Sequence, residues 1–356
     1  MMSFSPIPVF DGHNDALLRL LRAGCGSEAA FVEGEPACHL DLERARAGRM
    51  VGGFFAIYVP DEAVDGAEID ALMSLPAYDV PLPAPLDPAY ATRTALAMMA
   101  ILIRLGRISR GAVRLVGSVA EIEAAMEDGA LAALPHMEGA EAIDPDLHAL
   151  EVFHAAGLRS LGPVWSRPTI FGEGVPFRYP SGPDIGGGLT EHGKRLVRAC
   201  NRLGILVDCS HLNEKGFQDV ARISDAPLVA THSNAHALCP HARNLTDRQL
   251  DAIRASGGVV GLNFATSFIR PDGRREPDTP LSMMVDQIGY LVDRLGIDGV
   301  ALGSDFDGAT IPDAIGDASG LQRLFEALSA RGYDRDALER IGYRNWLRVL
   351  RVTLGG

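Results

Sequence analysis

Eight short apolar runs alternate with helix-like stretches along this chain, and that rhythm constrains the fold more than any other feature. The runs cover residues 7–10, 52–59, 130–137, 158–164, 205–209, 227–231, 258–264 and 300–303. They are nearly continuous in apolar residues, the pattern of strands buried on both faces in a parallel sheet. Helical patterns lie between most of them. One spans 191–203, with Thr190 suited to cap its start and Gly204 to end it. Others span 247–255, stopping at Gly257, and 281–295, stopping at Gly296. Eight strand–helix units predict a (β/α)8 (TIM) barrel. The chain has 356 residues, more than the ~250 typical of such a barrel, so insertions are expected. One is residues 60–92, which carry Pro60, Pro76, Pro81, Pro83, Pro85 and Pro88; the other is the Gly- and Pro-rich stretch 163–188. Both follow a strand and so belong on the barrel's C-terminal face, where active sites sit.

No repeat or composition shift divides the sequence, so residues 1–356 are expected to form one barrel domain. Hydrophobic residues make up 47% of the chain, enough for a substantial core. A net charge of -13 argues against nucleic-acid binding, since nothing would neutralise a phosphate backbone. No secretory signal is visible, and the longest apolar run, 95–103, is too short to span a membrane. The expectation is a soluble cytoplasmic protein without a membrane partner. Its five scattered cysteines read as reduced core thiols. A homodimer is the base-rate expectation for oligomeric state.

The predicted strand ends carry the chemistry. His13 and Asp15 follow the first run, two residues apart and thus on one face of an extended chain. Glu138 follows the third, His211 the fifth, His232 the sixth and Asp305 the eighth. Taken singly each has a plain structural explanation: a hydrogen-bonded strand-end histidine, a helix N-cap, a solvated loop carboxylate. Taken together, three histidines and three carboxylates at one barrel mouth would repel and distort one another's titration unless cations sat among them. Nitrogen and oxygen ligands without thiolate favour Zn²⁺, with Mn²⁺, Co²⁺ or Fe²⁺ as alternatives. Six ligands exceed the three of a mononuclear catalytic zinc site, which predicts two metal ions bridged by a carboxylate and a water. His136 shares a strand face with Glu138 and competes as a ligand.

The same residues closely resemble the renal (membrane) dipeptidase family of the metal-dependent amidohydrolase superfamily. The matching segments are Asp11-Gly-His-Asn-Asp15, Met137-Glu-Gly139, Asp208-Cys-Ser-His211, Thr231-His-Ser233, Ala242-Arg-Asn244 and Gly303-Ser-Asp-Phe-Asp-Gly308. Gly188-Leu-Thr190, Asn201-Arg-Leu-Gly204 and Asn345-Trp-Leu-Arg-Val349 extend the likeness over essentially the whole chain. The resemblance implies that His13 and Asp15 hold one zinc, Glu138 bridges, and His211 with His232 holds the second. It implies that Asp305 lies against the first zinc and moves a proton from a metal-bridged hydroxide's parent water to the leaving amine. Arg243 would pair with the C-terminal carboxylate of a small peptide, a match for a guanidinium fork. The implied activity is zinc-dependent hydrolysis of dipeptides with a free C-terminal carboxylate, L-Xaa-D-Xaa among them. The chain departs from the family pattern where many members carry a substrate-polarising histidine: Trp165 stands there, with one N–H donor and no cationic form. Arg167 and His236 are the nearest substitutes in sequence. Glu141 stands in Gly139-Ala-Glu141 where the family has Gly-Gly-His. The Trp165 departure keeps open a related binuclear amidohydrolase acting on N-acyl amino acids or lactones; a non-catalytic metal-binding protein is a separate alternative, against which all the candidate ligands and the proton shuttle count.

Overall fold

Each of the eight apolar runs contains a strand in the computed structural model, which describes residues 4–61 and 66–355. In chain order these are β1 (Val9–Asn14), β2 (Met50–Tyr58), β3 (Leu131–Glu138), β4 (Ser160–Gly162), β5 (Leu206–Val207), β6 (Val229–Ala230), β7 (Val259–Leu262) and β8 (Val300–Leu302). β1 to β5 form one parallel sheet in that order, and β6 to β8 form a second. Single parallel bridges mark the two seams, Asp208↔Val229 between β5 and β6 and Asn14↔Phe306 between β8 and β1. The result is a curled parallel sheet of TIM-barrel type whose hydrogen-bond ladder lapses twice.

Buried side chains take over where the ladder lapses. Asp208 accepts from Thr231 N at 2.8 Å and from Thr231 Oγ1 at 2.6 Å. Asp11 accepts from Ser304 N at 2.7 Å and Ser304 Oγ at 2.8 Å. Each aspartate thus satisfies a backbone N–H of the neighbouring strand end that burial would otherwise leave unpaired.

Strand residues alternate between two packed layers. Phe54, Ala132 and Leu134 join Phe10, Leu206, Val229, Val259 and Ala301 in the interior cluster. Phe55, Ile57, Leu131 and Ala133 join the layer shared with the helices. Trp346, from the helix Asn345–Leu354, fills the interior. Its Nε1 donates to Leu302 O at 2.9 Å and its ring centroid lies 5.0 Å from that of Phe54. A Cβ on Gly12 would lie 2.5 Å from this indole and one on Gly261 would lie 3.0 Å from it. Glycine between Asp11 and His13 is therefore the space the plug requires.

The expected helices form with the expected ends. Glu191–Leu203 is capped by Thr190, whose hydroxyl accepts from Gly193 N, and stops at left-handed Gly204. Asp247–Ala255 and Leu281–Leu295 are also present. Three further strands of three residues each are too short to carry a periodic signal. Val113–Leu115 pairs with the first half of β3, while β4 pairs with its second half. Tyr78–Val80 and Phe177–Tyr179 pair antiparallel and so tie the two insertions to each other. Residues 62–65 of the first insertion lie outside the described residues. All five cysteines are free, but only Cys200, Cys209 and Cys239 are buried. The expectation of five core thiols is corrected at Cys38, which is half-buried, and at Cys25, which is exposed between Gly24 and Gly26 in the turn after the helix Ala16–Ala23. Among the described residues, no helix is long and apolar enough to cross a membrane.

Trp346→Ala is expected to cost about 3–5 kcal/mol, read as a large fall in the thermal or urea midpoint. Val352→Ala, at an exposed position of the same helix, is expected to stay within about 0.5 kcal/mol of the parent.

Candidate metal centre

The structure brings the six expected ligands together at the C-terminal ends of their strands. His13 Nε2 lies 3.4 Å from Asp15 Oδ2 and 3.6 Å from Glu138 Oε2. The other oxygen of Glu138, Oε1, lies 3.0 Å from His211 Nε2 and 3.3 Å from His232 Nε2. Those two imidazole nitrogens are 3.1 Å apart. Glu138 therefore faces both sides of the cluster, one oxygen toward each. Two ligand groups result, His13–Glu138–His232 and His13–Asp15–Asp305, with ligand atoms within 4.8 Å of one another in each. His13, Asp15, Glu138, His211 and His232 are buried and Asp305 is half-buried.

Neighbouring side chains fix how these groups point. Thr231 Oγ1 donates to Asp208 Oδ2, so it accepts from His232 Nδ1 at 2.8 Å, and the lone pair of Nε2 faces the cluster. Ser166 Oγ lies 2.9 Å from His211 Nδ1 and holds that ring in place. Asn263 Nδ2 donates to Asp305 Oδ2 at 2.9 Å. The Asp305 backbone N–H donates to His13 O at 3.0 Å, and Asp15 N donates to Phe306 O at 2.7 Å. β1 and the end of β8 are thus laced together where three ligands emerge. His211 and Asp305 both have left-handed backbones, with φ of 67° and 60°. Such conformations are unfavourable for residues other than glycine and concentrate at functional sites.

Burial and charge are in conflict here. Burial pushes the Glu138 carboxyl well above the usual carboxylate range, against the pull of His13. It raises Asp305 as well, again opposed by His13. At His13, burial disfavours the charged ring, yet Glu138, Asp15 and Asp305 push its pKa up to about 10. His211 and His232 are held neutral by burial and by the cations of Arg243 and His13. Both ring nitrogens of His13 lack a hydrogen-bond partner despite complete burial. His211 Nε2, His232 Nε2 and Glu138 Oε1 meet within 3.0–3.3 Å of one another. A bound metal ion would relieve these conflicts, and the donor set of imidazoles and carboxylates fits one.

Other candidates fall elsewhere. His136 bonds Ser160 Oγ through Nδ1 at 2.9 Å, its Nε2 is 3.7 Å from Asp208 Oδ2, and burial pushes its pKa down to about 3. It belongs to neither ligand group. His236 approaches Ser181 O at 3.0 Å and does not line the central cavity. Arg243 is buried, donates to Ser233 Oγ and His232 O, and retains an unpartnered Nε. Arg167 is fully buried, paired with Glu141 at 2.9 Å, and lies 5.1 Å beneath the Trp165 ring. The two departures from the family pattern are therefore linked: the cation packed on Trp165 takes its counter-ion from Glu141. Asp208, Thr231, Ser166 and Asn263 escaped a reading based on ligand types, because their hydroxyl, amide and carboxylate roles exist only through partners distant in sequence.

Asp15, Glu138, His211, His232 and Asp305, though not His13, line a cavity of about 340 Å³ together with Tyr58, Trp165, Phe177 and Phe268. The profile of the membrane dipeptidase family, peptidase family M19, matches residues 4–354. A metallo peptidase from Rhodobacter sphaeroides, solved with a phosphinate mimic of the dipeptide L-Ala-D-Ala, is 54% identical. It superposes with a TM-score of 0.97 over 98% of this chain and 100% of that one. A second M19 dipeptidase structure is 53% identical with a TM-score of 0.96, covering 99% of this chain and 100% of that one. A Klebsiella pneumoniae protein described as an "uncharacterized protein in pqqA 5'region" is 53% identical over 253 residues, 71% of this chain and 93% of that protein. The chain belongs to the membrane dipeptidase family. It is a metallo-dipeptidase, with the family's TIM-barrel-like amidohydrolase fold.

A Cβ at Gly308 would fall within contact of Asp15 Oδ2 and lie 2.7 Å from Asp305 Oδ1. Gly308→Ala is therefore expected to push both carboxylates aside and weaken metal binding about tenfold or more, measured by metal competition with a chromophoric chelator. Unchanged affinity would show that these two carboxylates do not hold metal.

Proposed function

We propose that the chain is a binuclear zinc dipeptidase acting on dipeptides with a free C-terminal carboxylate, L-Xaa-D-Xaa included. The observation that carries this reading is the meeting of His211 Nε2, His232 Nε2 and Glu138 Oε1 within 3.0–3.3 Å of one another. In this reading His13, Asp15 and Asp305 hold one ion, His211 and His232 the other, and Glu138 serves both. The ions supply Lewis acidity and make water a nucleophile near neutral pH.

The chain's own groups then orient substrate and carry the proton. Asp305, held by Asn263, takes the proton of the attacking water. Once the new carbon–oxygen bond is made, it passes that proton to the leaving nitrogen as the carbon–nitrogen bond breaks. Arg243 receives the substrate carboxylate, the role that the family resemblance gives it; its guanidinium is held beside the cluster by Ser233 Oγ and His232 O. Trp165 walls the cavity on the His211 side, with ring centroids 5.9 Å apart. The phosphinate-bound Rhodobacter sphaeroides relative supports the dipeptide class.

Chelation is expected to abolish dipeptide hydrolysis, and two equivalents of zinc to restore it; full recovery at one equivalent would overturn the binuclear assignment. Asp305→Asn is expected to lower kcat on the order of a hundredfold or more. Amidated dipeptides are expected to react on the order of a hundredfold more slowly than free ones, and equal rates would remove the role given to Arg243.

A further inference from the structure

A second cavity of about 340 Å³ adjoins the catalytic one and shares Ile69, Trp165 and Phe177 with it as walls. Leu72, Val80 and Leu82 complete its apolar lining, and exposed Glu68 is the one charged side chain among the described residues that border it. Packed interiors rarely keep voids larger than a water molecule. This one opens to solvent beside exposed Glu68 and Pro81, so it is a groove that a ligand can enter and not a void in the core. The walls come from both insertions, which the antiparallel pairing of Val80 with Phe177 fastens together. Trp165 is the partition: its ring sits 5.9 Å from that of His211 and 5.6 Å from that of Phe177. An imidazole at this position would be a smaller and more polar wall.

The direction of the substrate follows from the aromatic rings. Arg243 lies over Phe268 at 5.9 Å, Phe268 stacks on Phe177 at 6.0 Å, and Phe177 in turn meets Trp165. Phe268 and Phe177 thus link the Arg243 guanidinium to Trp165 through successive ring contacts, and both also line the catalytic cavity. A dipeptide anchored at Arg243 turns its other residue toward Trp165. We propose that the cavity bounded by Trp165, Phe177, Leu72 and Leu82 is a subsite for a bulky apolar side chain on the N-terminal residue of the dipeptide. This rests on the dipeptidase reading with Arg243 at the carboxylate.

The test compares Leu-D-Ala, Phe-D-Ala, Ala-D-Ala and Ala-D-Leu on zinc-loaded enzyme. N-terminal Leu or Phe is expected to raise kcat/KM over Ala-D-Ala on the order of tenfold or more, with no matching gain for Ala-D-Leu. The double variant Leu72→Phe, Leu82→Phe, which fills the cavity, is expected to bring that ratio toward one. Equal kcat/KM for N-terminal Ala and Leu, or a gain that follows the C-terminal residue, overturns the proposal. If no dipeptide is hydrolysed, the catalytic reading fails by itself and fluorescence decides the subsite. The chain has two tryptophans, and Trp346 is fully buried, so a ligand-dependent change in emission reports Trp165. A saturable change with Leu-D-Ala and none with Ala-D-Ala supports the subsite; equal or absent responses overturn it.

Discussion

Two buried aspartates hold the sheet where its backbone cannot. Asp11 and Asp208 each accept a backbone N–H and a hydroxyl from the next strand end, at the two seams between the parallel sheets. Four of the six clustered residues flank these stitches. His13 is two residues past Asp11 and Asp305 directly follows Ser304; His211 is three past Asp208 and His232 directly follows Thr231. A ladder that ran on unbroken would keep these residues in extended backbone. Its interruption frees the chain to turn, and His211 and Asp305 take left-handed conformations there. Fold closure and ligand geometry are accordingly one arrangement of hydrogen bonds.

The same economy governs the tautomers. Asp208 orders the chain at the seam through Thr231, and the Thr231 hydroxyl orients His232. Burial makes this necessary. A carboxylate and two imidazoles in contact, screened from water, titrate away from their ordinary values unless each proton has a designated place.

Much of this was legible in the chain itself. Strand positions, parallel order and the six clustered residues followed from apolar runs and from the chemistry at their ends, because a strand buried on both faces leaves a strong signal. The antiparallel pairing of Tyr78–Val80 with Phe177–Tyr179 was not legible: three residues carry no period, and the two segments are joined only by tertiary contact. The seam aspartates were hidden for a different reason. Asp11 and Asp208 look like unremarkable polar residues beside histidines, and only their partners, far along the chain, give them a role. Trp165 and Glu141 appeared as two separate departures from the family pattern. The buried Arg167 that touches both makes them one.

Trp346 carries a consequence for how the polypeptide acquires its structure. The indole that fills the centre of the sheet and bonds Leu302 O comes after all eight strands in the sequence. A chain emerging from the ribosome therefore carries every strand of the sheet before it holds the residue that occupies the middle. Contacts such as Trp346 with Phe54 span nearly the full length and must form late. Until the helix of Trp346 is made, the inward faces of Phe10 and Phe54 lack the indole as a neighbour, and apolar surface left open in this way favours aggregation.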